Sequence, residues 1–71
     1  MTDTDLLYSA IKDAGLKLSY VADKLGISAQ ALRLKATNKS SFTATEIDLI
    51  SKLLDKDVVE LKDIFFAPNV A

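Results

Sequence analysis

Val21-Ala22-Asp23-Lys24-Leu25-Gly26-Ile27-Ser28, followed by Ala29-Gln30-Ala31-Leu32-Arg33-Leu34-Lys35-Ala36, decides the fold of this 71-residue chain. Val21, Ala22 and Leu25 recur at helical spacing and mark the inner face of a short helix. Ala22 is small enough to let a second helix cross close by. Gly26 supplies the positive φ that a helix exit needs, Ile27 plugs the turn into the core, and Ser28 offers a hydroxyl to cap the next helix. Leu32, four residues past Ser28, faces inward. Two helices around a tight turn have the layout of a helix-turn-helix, whose second helix normally enters the DNA major groove. The competing reading is a generic pair of core helices joined by a glycine. Apolar spacing on both sides, the cap and the flanking helices favour the first.

Working outward, Thr2 or Thr4 is placed to cap a first helix whose Leu6, Leu7, Ala10, Ile11 and Ala14 form an inward stripe ending at Gly15. Thr37-Asn38-Lys39-Ser40-Ser41 is a polar loop with turn chemistry. Thr43 and Glu46 make a capping box for a fourth helix, and Phe42 is placed to staple onto Ile47 across it. Ile47, Ile50, Leu53 and Leu54 carry its buried stripe. Asp57 with Glu60 marks a capped start for a fifth helix through Leu61, Ile64 and Phe65. The expected architecture is all-α, a bundle of five short helices over about 4–14, 18–25, 28–36, 43–54 and 57–65 with a tail at 67–71. The helix-turn-helix forms helices 2 and 3, and a chain this short makes one domain.

At 49% hydrophobic and 27% charged, the composition is that of a folded globule. With no cysteine and no histidine, disulfides, thiolate metal sites and Cys or His nucleophiles are excluded, and neither a metal nor a cofactor is expected. An enzyme would have to use Asp, Glu, Lys, Ser or Tyr in a pocket that so small a bundle rarely forms, so no enzymatic activity is expected. No apolar run approaches the roughly 20 residues needed to cross a bilayer, and the N-terminus lacks a signal-peptide pattern; a cytoplasmic protein with no membrane partner is expected. The net charge of −1 is uneven along the chain. Residues 10–42 carry Lys12, Lys17, Lys24, Arg33, Lys35 and Lys39 against Asp13 and Asp23, while both flanks are acidic. The positive share lies on the two central helices.

With these residues in place, the chain resembles the Cro and phage-repressor superfamily of five-helix DNA-binding domains over nearly its whole length. Within it, the chain is most similar to the small Cro-like modulators of repression encoded by temperate phages of Gram-positive hosts. Gly15 through Lys39, with Glu46 to Leu54, carries the resemblance. It implies a bacterial host cytoplasm and a regulator that associates with the phage repressor during the lysis–lysogeny choice.

Several positions depart from the pattern of operator readers. Where the family usually places a polar residue, often Gln, at the start of the second helix, this chain has Leu18, and the preceding capping Ser or Thr is Lys17. The first two outward positions of the recognition helix are Ala29 and Gln30, and the next outward positions are Arg33 and Leu34. Gln30 and Arg33 remain as base readers, each bidentate contact giving about 1–3 kcal/mol of discrimination. Lys17, Lys35, Asn38 and Lys39 are the candidates for phosphate contacts, against the alternative that the lysines form an ordinary solvated face.

Two functions follow. In the first, the recognition face grips the phage repressor's DNA-binding domain, with Leu18, Tyr20, Ala29 and Leu34 as an apolar centre and Lys17, Arg33, Lys35 and Lys39 as a charged rim. In the second, a Cro-like repressor binds operator DNA directly as a dimer, with Phe65, Phe66 and Val70 as the only evident self-association element. Phe65 is expected instead to close the chain's own core. The face common to both readings comprises Lys17, Leu18, Tyr20, Ser28, Ala29, Gln30, Arg33, Leu34, Lys35, Asn38 and Lys39.

Overall fold

Five helices form close to where apolar spacing places them: α1 (Thr4–Asp13), α2 (Leu18–Leu25), α3 (Ala29–Ala36), α4 (Ala44–Leu54) and α5 (Lys62–Phe65), with no strand among the described residues. The computed structural model describes residues 1–68, so Val70 of the tail lies outside the described residues. α2 packs on both α3 and α4, and α1 packs on α5. One core unites them: Leu7 and Ile11 from α1, Val21 and Ala22 from α2, Leu32 and Ala36 from α3, Ile47, Ile50 and Leu54 from α4, and Leu61, Ile64 and Phe65 around α5.

The α2–α3 corner depends on Gly26, whose φ of 73° is the left-handed exit expected of it. In that conformation the Ile27 N–H donates back to the Ala22 carbonyl at 3.0 Å, satisfying a helix-end acceptor. Ile27 packs half-buried on the core. The Ser28 hydroxyl then accepts from the Ala31 N–H at 3.0 Å and starts α3. Val21 and Leu32 are both closed to solvent, and Leu25 is half-buried.

The ends of the chain differ from expectation. Neither Thr2 nor Thr4 caps α1; Asp3 does, its carboxylate accepting from the Leu6 N–H at 3.1 Å. The two threonines are drawn off by α3 and the loop after it. The Thr4 hydroxyl donates to the Ala36 carbonyl at 2.6 Å. Thr2 is buried, and both polar groups of its backbone are held by the Asn38 amide: Thr2 N–H donates to Oδ1 at 2.8 Å and Nδ2 donates to the Thr2 carbonyl at 2.9 Å. Asn38 reaches this position with φ at 66°, a left-handed conformation that Asn tolerates better than most residues. On its other side the same segment pairs with the C-terminal turn, Asp3 N–H to the Ile64 carbonyl at 2.6 Å and Ala67 N–H to the Met1 carbonyl at 2.9 Å.

The inward stripe of α1 is narrower than expected. Leu7 and Ile11 are buried, but Leu6 is 46% exposed, lying about 100° or more around the helix from both, and Ala14 is exposed because the helix ends at Asp13 and Ala14 begins the turn into Gly15. The fifth helix is also shorter, beginning at Lys62 instead of near Asp57. The Asp57 carboxylate does cap the Glu60 N–H at 3.0 Å, but residues 57–61 close tight four-residue turns, Glu60 N–H to the Asp57 carbonyl and Leu61 N–H to the Val58 carbonyl. The β-branched pair Val58-Val59 disfavours a regular α-helix there. Phe42 meets Phe65 edge-on at 5.2 Å between ring centres, which holds the start of α4 against α5.

Two outcomes follow. Leu32→Ala empties a site with no solvent exposure and is expected to cost about 2–5 kcal/mol in urea unfolding; an unchanged midpoint would contradict its place in the core. Asn38→Gly keeps the left-handed backbone and loses the Thr2 clasp, for a loss of about 1–3 kcal/mol, whereas Asn38→Ala adds about 1–2 kcal/mol of backbone strain. An Asn38→Ala protein as stable as the parent would exclude the clasp.

Candidate functional site

Leu32 and Ala36 set the rotation of α3, since both have no solvent exposure. At about 100° per residue, Gln30 and Leu34 then fall on the far side of the helix, with Arg33 on one flank and Lys35 on the other. Gln30 and Arg33 are exposed and Leu34 is 44% exposed. Tyr20 on α2 is equally open, with the Lys24 ammonium 5.4 Å from its ring centre. Lys17 and Lys39 are exposed at the start of α2 and after α3. Ser28 is exposed, its hydroxyl engaged in the α3 cap.

Four of the expected face residues have other roles. Leu18 and Ala29 are half-buried and pack on the core, so the apolar centre reduces to Tyr20 and Leu34. Lys35 lies only about 60° around α3 from Leu32 and turns toward α4. Its ammonium donates to Glu46 Oε1 at 2.8 Å and to the Ser41 carbonyl at 3.1 Å. Asn38 is tied to Thr2 by both ends of its amide. Of the four groups expected at phosphates, Lys17 and Lys39 remain disengaged from such bonds. Lys24 is a member of this surface that local motif reading misses; its spacing of four residues from Tyr20 on one helix is the signal that could have found it.

The N-terminus of α2 matches its sequence. Lys17 occupies the cap position without a side-chain hydrogen bond to the helix, and no acidic residue lies in the first turn. α1, α3 and α4 each have a capping side chain, from Asp3, Ser28 and Thr43.

Comparisons with protein-family models, with curated proteins and with solved structures find no match to this chain.

Glu46 joins the inner edge of the face to the scaffold. It is buried, and its Oε1 accepts from the Thr43 N–H at 2.9 Å as well as from Lys35, while its own N–H donates to the Thr43 hydroxyl at 3.1 Å, completing the expected capping box. Burial pushes the Glu46 carboxyl up, but the Lys35 ammonium and the Thr43 N–H together outweigh it and hold the group below its ordinary value. A carboxyl with a lowered folded pKa contributes stability that is complete above its unfolded pKa and drains away as pH falls through the folded one. Urea unfolding at about pH 7 and about pH 3 should therefore show a larger acid loss in the parent than in Glu46→Gln, which keeps a capping side chain without titrating. Equal losses in the two proteins would remove Glu46 from the acid response.

Proposed function

We propose that this chain is a small helix-turn-helix transcriptional regulator of a phage lysis–lysogeny switch, acting mainly by forming a complex with the phage repressor's DNA-binding domain. The observation that carries the proposal is the outer surface of α3, where Gln30, Arg33 and the half-open aliphatic Leu34 face solvent over a fully buried Leu32. An aliphatic group beside two long hydrogen-bonding side chains, with open Tyr20 on the neighbouring helix, has the composition of a protein interface more than of a phosphate-tracking surface. Lys35 and Asn38 also hold intramolecular partners, which removes two of four contacts a DNA reader would use. The overall resemblance of the sequence to Cro-like modulators supports the same reading.

Direct operator binding as a dimer is the second reading, and one observation favours it. The N-terminus of α2 offers its first backbone N–H groups beside Lys17 with no side-chain cap in the way, an arrangement suited to a DNA phosphate. Gln30 and Arg33 would then read base edges.

A mobility-shift assay of the promoter region with this protein, with repressor and with both separates the two. Loss or supershift of the repressor band, with no shift by the protein alone, is the expected result; a shift by the protein alone below about 1 μM would transfer the function to operator binding. Gln30→Ala and Arg33→Ala should impair the effect while leaving the melting temperature unchanged. Full activity in both variants would remove α3 from the working surface.

A further inference from the structure

A groove of about 500 Å³ lies between α1 and the α4–α5 end of the molecule. It shares no residue with the α2–α3 face. Its floor is apolar, made by Leu6 and Ala10 of α1 with Leu54 and Ile64 beneath, and Leu6 is a large aliphatic side chain left 46% exposed at its edge. Asp13, Glu60 and Asp63 line the margin against a single cation, Lys56. Among the described residues no three acidic side chains converge closely enough to hold a metal ion, so these carboxylates form a dispersed anionic rim. Such a rim repels phosphate backbones and anionic lipid surfaces and attracts Lys and Arg.

We propose that this groove docks a cationic amphipathic helix presented by a partner protein, its apolar stripe on the Leu6–Ile64 floor and its Lys or Arg side chains over Asp13, Glu60 and Asp63. This is helix-in-groove recognition, in which apolar anchors supply affinity and flanking charges set register and partner choice. A helix of about 12 residues is roughly 18 Å long, within the 28 × 24 × 21 Å extents of the molecule. A neutral or acidic helix would leave the rim unpaired. A second copy of this chain fits poorly: the most basic of its helices, α3, carries only Arg33 and Lys35, and Lys35 is already paired with Glu46. The proposal is independent of what the α2–α3 face takes.

Two labelled peptides of about 12 residues, sharing one leucine stripe and flanked by lysines in one and glutamates in the other, are titrated into the isotope-labelled full chain. The lysine peptide is expected to bind at least about tenfold tighter, to weaken with added salt, and to shift the amides of Leu6, Ala10, Asp13 and Ile64. Combining Asp13→Asn, Glu60→Gln and Asp63→Asn is expected to abolish the preference at unchanged melting temperature. Arg33→Ala is expected to bind the peptide like the parent even where it fails with repressor. Equal affinity for the two peptides, shifts confined to α2 and α3, or self-association of the protein through the same amides would each overturn the proposal.

Discussion

The complete burial of Leu32 and Ala36 is the constraint on which the surface of this protein depends. α3 has only eight residues, and once two of them four apart are pinned under α2, the helix has no freedom to rotate. Every outward position follows by helical arithmetic, Gln30 and Leu34 directly opposite the core and Arg33 beside them. The pin depends in turn on Gly26, because only a left-handed exit turns the chain sharply enough for α3 to lay this line on the core. A rotation of α3 by one residue would exchange Leu32 for Arg33 in the interior, at the cost of an unpaired buried charge.

Glu46 serves two structures with one oxygen. Within the capping box it starts α4, and as the acceptor of the Lys35 ammonium it ties that start to the end of α3. The pair is held at 2.8 Å with both side chains mostly shielded, unlike the exposed Lys52–Asp48 pair on α4, which is screened by water. Asn38, just beyond the end of α3, also joins distant segments, its side-chain amide standing in for a missing strand partner along Thr2. Together these contacts tie the Lys35 flank of α3 and the loop after it to the scaffold and leave the side that carries Gln30 and Leu34 free. The groove between α1 and α5 shares none of them and carries charge of the opposite sign, so the molecule offers two chemically different surfaces on one small core.

The corner at residues 21–36 is readable because each of its signals is local. Helical spacing of Val21 and Ala22, the glycine exit, the Ser28 cap and the Thr43–Glu46 box all act within a few residues, and the structure has each of them. Of the candidate face, Gln30, Arg33 and Leu34 are readable for the same reason. Lys35 and Asn38 are misplaced by sequence reasoning because their partners, Glu46 and Thr2, are 11 and 36 positions away, and no local pattern records such a partner. Thr2 and Thr4 look like caps of α1 for the same cause: α3 and the loop after it claim them from a distance.

The sequence by itself determined the all-helical class, the count and approximate span of the helices, and the inward line through Val21 and Leu32, since these follow from periodicity and from the conformational preferences of single residues. Only the tertiary structure decided which polar groups remain free, that Leu6 stays open above an acid-rimmed groove, and that α5 is reduced to Lys62–Phe65. Whether a side chain is free depends on what else is folded against it, and distance along the chain does not contain that information.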